Sequence, residues 1–244
     1  IKVLKPTIVK EHVSPELWLE ETAALGDLDH PNIAKVYDAF VEGGRCIQVT
    51  ENLKGSSLGR RVMEDGPLSP EAAAKALEQL CEALSYAHDK GLLHLDINPR
   101  NVFQREDGSI ALMDFRSGRS RKGRSIATSE EGEGYRAPEL LTGGGGDLRA
   151  DIYSLGATLY TLVTGKQPVG SFPRIAEVNP AARRFDRLVQ RAMRAVPDER
   201  PQTIADFAKE LAGSAEAVAL PESKDDLAGW LEVLAFQPDH SEAM

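Results

Sequence analysis

The sequence predicts an α+β chain of two lobes, a small β-rich one at the N-terminus and a larger helical one after it. Three observations carry this. Before residue 54 the chain holds β-branched runs, "IKVL" and "IAKVYDAFVEGGRCIQVTENL", the second broken by a Gly-Gly turn. From about residue 69 apolar residues recur at helical spacing, with only two brief β-like pieces among them. At 244 residues, 41% hydrophobic and 27% charged, the chain is long enough to bury one large core or the cores of two lobes.

The elements follow in order. "IKVL" (1–4) reads as a strand. "SPELWLEETAALGDL" (14–28) opens on Ser-Pro and spaces its apolar residues as a helix does. Residues 33–53 read as a β-hairpin around Gly43-Gly44. "SPEAAAKALEQLCEALSYAHDKG" starts at a Ser-Pro cap and stops on Gly91. "NVFQ" and "IALMD" are short strands joined by "EDGS", and a glycine- and charge-rich loop covers about 116–134. Helical patterns resume at "DLRADIYSLGATLYTLVTG", "AARRFDRLVQRAMRAV" and "IADFAKELAG". The run "TGGGGD" (142–147) reads as a flexible linker.

Composition narrows the function classes. Against 29 Lys and Arg stand 38 Asp and Glu, a net charge of −9, which argues against nucleic acid as the main ligand. No apolar run is long enough for a bilayer and no signal-peptide pattern opens the sequence. Cys46 and Cys81 have no metal-type spacing; they read as buried small hydrophobes in a reducing cytoplasm. Arg116, Arg119, Arg121, Lys122 and Arg124 cluster within nine residues and read as a solvated loop.

The order and spacing of several motifs resemble the eukaryotic-like Ser/Thr protein kinases of bacteria over roughly residues 1–213. "LHLDINPRN" resembles the catalytic loop, "MDF" the metal-binding turn, "GYRAPE" the end of the activation segment, and "DERP" the segment bearing its arginine partner. The resemblance implies a protein-kinase-like fold with a truncated N-lobe (1–53), a helical C-lobe (54–213), and a linker and C-terminal helix (214–244). That last stretch also resembles the second half of a tetratricopeptide repeat, the simple helix being the alternative.

It also implies roles. Lys2 and Glu21 would form the ion pair that holds nucleotide phosphates, and Thr50 would be the gatekeeper. Glu51 and Leu53 would offer hinge backbone groups to an adenine, with Phe103 beneath it. Asp96 would orient and deprotonate an acceptor hydroxyl, while Asp114 and Asn101 would hold metal through oxygen. His94 and Phe115 would stack with Leu25 and Val36 between the lobes. Asp151 would cap the central helix and bond the catalytic loop, and Glu139 would pair with Arg200. The cofactors implied are ATP and Mg²⁺, and the partners other signalling proteins.

Six departures point away from efficient phosphotransfer. The family's glycine-rich phosphate-covering loop precedes the lysine strand, and this sequence begins at that strand. Either a preceding piece lies outside the sequence or the protein does without the lid. Asn98 replaces a catalytic-loop lysine, and an amide cannot supply its full positive charge. Leu95 replaces the arginine before Asp96. Arg116 replaces the glycine of the metal-binding turn, where it could pair with Asp114. Glu131 and Glu133 stand where the family has a neutral Gly-Thr stretch, and Phe103 puts a ring where the family has an aliphatic side chain. The resulting expectation is a pseudokinase, a regulatory or interaction module with weak or absent ATP and Mg²⁺ binding; the alternative is an active, atypical Ser/Thr kinase.

Overall fold

The computed structural model describes residues 2–3, 15–115, 130–142 and 145–216. The first sheet is antiparallel, in the order β1 (Lys2–Val3), β3 (Arg45–Thr50), β2 (Val36–Glu42). Its hairpin turns on Gly43 and Gly44, whose φ values of 55° and 73° are those a two-residue turn needs to match strand twist. Helix α1 (Pro15–Gly26) packs on β2 and buries Thr22 and Leu25.

The second sheet is also antiparallel, in the order β4 (Gly55–Ser57), β5 (Val102–Arg105), β6 (Ile110–Leu112). Nothing in "GSS" signals a strand; it is one because its backbone pairs with β5. Gly55 is required there. Its φ is 135°, and a Cβ would lie 2.0 Å from the Gln104 carbonyl oxygen. Ser57 then caps α2 (Leu58–Asp65), its hydroxyl accepting from the Arg60 N–H while Leu58 and Val62 turn inward. The sequence reading passed over this helix as well.

In α3 (Pro70–Asp89), Ser69 accepts from the Ala72 N–H and Pro70 fills the first turn, where a missing N–H costs nothing. Ala73, Leu77, Leu80, Leu84 and Ala87 form its buried stripe, and Gly91 ends it at φ 74°. Helix α4 (Pro138–Leu141) follows the 3₁₀ turn Glu130–Tyr135.

Helix α5 (Leu148–Thr164) runs through the middle of the C-lobe, and from Ala150 to Thr164 every residue but Tyr153 is buried. A helix apolar nearly all round has no other stable place. Its cap is Asp147, whose carboxylate accepts from the Arg149 N–H; Asp151, expected as the cap, sits a turn inside, with its carboxylate turned to the catalytic loop instead. Gly165 closes the helix in the left-handed conformation. Around it lie α6 (Ile175–Val178), α7 (Asp186–Ala192) and α8 (Ile204–Glu216). The segment read as one helix from residue 181 is a 3₁₀ turn over Pro180–Phe185 and α-helical only from Asp186, whose carboxylate accepts the Ile175 and Ala176 N–H groups at 2.7 and 3.1 Å.

One core fills the C-lobe; a second, of Leu25, Leu28, Ile33, Ala83, Ala87 and Leu92, joins the lobes. Phe115 packs against both. Cys46 and Cys81 are buried free thiols, and burial pushes Cys81 up to about 12. No described helix is long and apolar enough to cross a membrane.

Candidate active site

The catalytic loop is shaped by one buried carboxylate. Asp151, with no exposed surface, accepts the His94 N–H at 2.9 Å and the Leu95 N–H at 2.7 Å, and His88 Nε2 lies 2.8 Å from the same carboxylate. These bonds hold Leu95 at φ 58°, a left-handed conformation that costs a branched residue roughly 1–2 kcal/mol.

His94 is fully buried, its ring centroid 4.5 Å from that of Phe115. Its Nε2 lies 2.9 Å from the Met113 carbonyl, which can only accept, so Nε2 carries the proton. Nδ1 accepts the Asp96 N–H at 3.2 Å, so the ring is neutral. Burial lowers its pKa against the pull of Asp151. With no lone pair left, this histidine packs and positions. Leu25 belongs to the inter-lobe core, and Val36 and Phe115 pack against it.

Asp96 is anchored by amides. Asn101 Nδ2 donates to its carbonyl at 2.8 Å and to Oδ2 at 3.3 Å, and Asn98 Nδ2 donates to the same carbonyl at 2.8 Å. Asn98 Oδ1 in turn accepts the Arg100 N–H at 3.0 Å, and the residue is 3% exposed. Asn98 therefore lies folded into the loop, both ends of its amide engaged. Asn101 differs: its N–H donates to the Asn98 carbonyl, its own carbonyl accepts from Met113, and among the described residues no donor reaches its Oδ1. Asp114 follows β6 with φ 58°, a conformation Asp tolerates better than most residues.

Between the lobes opens a cleft of about 220 Å³. Thr50, Glu51, Leu53, Phe103 and Asp114 all line it, with Leu28, Val36 and Met113. Phe103 enters from β5, paired across the sheet with Ser57 and Ala111. Lys2 pairs with Gln48, another lining residue, at the level of the backbone. The side chains of Lys2, Glu21, Glu131 and Glu133, and the whole of Arg116 with the basic cluster, lie outside the described residues. Among the described residues, no backbone group bonds the Leu53 N–H or the Glu51 carbonyl. One carboxylate and one amide oxygen are donors suited to a hard divalent cation shared with a nucleotide's phosphates. No group of three or more His, Cys, Asp or Glu that could hold a metal alone occurs among the described residues.

Below the loop, Arg200 is buried and forks onto Glu139 at 2.7 and 2.8 Å, with further bonds to the carbonyls of Arg149, Arg194 and Ala195. The sequence reading did not single out Arg105. Its position in a short strand gave no signal, yet its guanidinium reaches Glu51, which lines the cleft.

A small β-rich lobe, a larger helical lobe and a cleft between them define a bilobal α+β class of protein, and sequence comparison gives the family. The family model for the protein kinase domain matches residues 1–218, so the chain belongs to the protein kinase family. It is 31% identical over 239 residues to a probable serine/threonine-protein kinase of Corynebacterium efficiens, covering 86% of this chain and 36% of that protein. It is 32% identical over 218 residues to the serine/threonine-protein kinase PkaA of Streptomyces coelicolor, covering 82% and 40%. The chain thus spans well under half the length of these relatives. The crystal structure of the PknI kinase domain of Mycobacterium tuberculosis matches with a TM-score of 0.75 and 29% identity, over 88% of this chain and 84% of that one.

Proposed function

We propose that this chain is a pseudokinase: a kinase-fold module that regulates or docks other signalling proteins and transfers little or no phosphate. The observation that carries this is the state of Asn98. Phosphoryl transfer depends on cations placed where charge gathers on the transferring group, and removing one such electrostatic group costs about 10²–10³ in rate. Asn98 has no charge to give, and its amide is used up within the loop. In the family resemblance, Arg116 in place of the glycine two residues after Asp114, and Glu131 and Glu133 in a stretch the family keeps neutral, work in the same direction. Two buried, unpaired thiols fit a cytoplasmic setting.

One observation favours a second reading, an active atypical Ser/Thr kinase. Thr50, Glu51, Leu53 and Asp114 line one cleft, and among the described residues no donor reaches Asn101 Oδ1, so groups that would hold ATP and Mg²⁺ are present. When bound, metal and nucleotide would supply the phosphoryl group and neutralise its charge; Asp96 would hold the acceptor hydroxyl in line. The test is transfer of labelled γ-phosphate to a generic protein substrate. No transfer above that of an Asp96→Ala variant is expected. Transfer that Asp96→Ala or Asp114→Ala abolishes overturns the pseudokinase reading.

A further inference from the structure

We propose that Arg105 is a positioning residue that pins the hinge and the loop before β2 to the C-lobe, fixing the width of the cleft without a ligand. The chain crosses between the lobes at residues 50–54, which leave β3; beside this hinge, residues 31–35 of the N-lobe lead into β2 and dock on β6 of the C-lobe, the Ala34 N–H donating to the Leu112 carbonyl at 2.9 Å. The hinge and this loop bond each other, the Glu51 N–H donating to the Lys35 carbonyl at 2.8 Å and the Lys35 N–H to the Glu51 carboxylate at 3.3 Å.

Arg105 holds that junction from the C-lobe. One arm of its guanidinium donates to Glu51 Oε1 and Oε2 at 3.2 and 3.4 Å. The other donates to the Pro31 carbonyl at 2.9 Å, the Ile110 carbonyl at 3.1 Å and Ser109 Oγ at 3.4 Å. The acceptors thus come from the loop before β2, the hinge, and the start of β6. Ladder bonds of β4 to β5 hold the far side of the hinge, where Gly55 permits no side chain.

An exposed Arg–Glu pair would contribute little. This one differs in geometry: both side chains are mostly buried, at 21% and 28% exposure, and the planar fork satisfies acceptors on separate segments at once. A lysine carries the same charge but cannot span those positions. In a nucleotide-dependent enzyme the ligand brings the lobes together; here a side chain of the protein does so.

Amide hydrogen exchange of the full chain, with no nucleotide present, tests this for Arg105→Ala and Arg105→Lys. Arg105→Ala is expected to speed exchange about tenfold at Ala34, Lys35 and Glu51, leaving the amides of α5 at the parent rate. Arg105→Lys is expected to recover only part of the protection. Unchanged exchange at the three amides overturns the proposal. So does a uniform rise that includes α5, which marks a general loss of stability, and so does full protection with lysine, which reduces the effect to charge. Because the readout contains no nucleotide, its outcome stands apart from the phosphate-transfer test above.

Discussion

His94 shows how a residue's partners decide its chemistry. Its neutral form is fixed from both sides, by a carbonyl on Nε2 and an N–H on Nδ1, and burial lowers its pKa. The unfolded chain, whose histidine keeps the ordinary value of 6.5, then binds more protons as the medium acidifies. Stability is therefore fully present above about pH 6.5 and declines as pH falls through the lower folded value. Denaturation midpoints at pH 7 and pH 5 should differ less in a His94→Gln variant, which keeps one donor and one acceptor but does not titrate. An identical decline in both proteins would sink the assignment. Arg200 is the second residue-scale case. Removing a buried cation's side chain strands its partners, and Arg200→Ala should cost about 3–5 kcal/mol in denaturant unfolding, whereas a loss within a few tenths would reduce the pair to a surface contact.

At the scale of elements, two helical glycines predict opposite outcomes for the same substitution. Gly156 of α5 faces α7, where a Cβ would lie 2.8 Å from the Ala192 Cβ and 3.1 Å from Met193 Cγ. Alanine improves helix propensity by about 1 kcal/mol, but overpacking a close interface costs about 1–3 kcal/mol. Gly156→Ala should therefore lower the melting temperature. Gly213 of α8 has nothing within 4 Å of the added carbon, so Gly213→Ala should raise stability by up to about 1 kcal/mol. Two shifts of the same sign would mean that α5 and α7 are not packed as described. The N-cap of α3 offers a third measurement: Ser69→Ala removes the bond to the Ala72 N–H and should cost about 1 kcal/mol.

For the whole molecule the decisive measurement is the response of the melting temperature to ATP, with and without Mg²⁺ or Mn²⁺, since any ligand that binds only the folded state must raise it. Little or no shift is expected for the parent chain. A double variant, Asn98→Lys with Arg116→Gly, should gain a metal-dependent shift before it gains turnover, because the first puts a cation into the loop and the second removes a positive charge two residues after Asp114 in the sequence. A metal-dependent shift of several degrees in the parent would return the balance to the atypical kinase.

The sequence by itself determined the order of lobes, the family and the central helix, because each is written in local pattern, and it singled out Thr50, Glu51, Leu53, Phe103 and Asp114, which line the cleft. Helical spacing marks α3, an all-round apolar run marks α5, and short motifs at family-like spacing mark Asp96, Asn101 and Asp114. Only the tertiary structure decided what has no local signal. "GSS" is a strand because β5 lies beside it, and Asp147 rather than Asp151 caps α5 because the catalytic loop draws the Asp151 carboxylate inward. Asn98 showed in the sequence only that a charge was missing; that its amide is spent inside the loop follows from where the fold brings Asp96 and Arg100. Arg105 gave no signal at all, since its acceptors at Pro31 and Glu51 are distant in sequence and meet it only when the lobes close on each other.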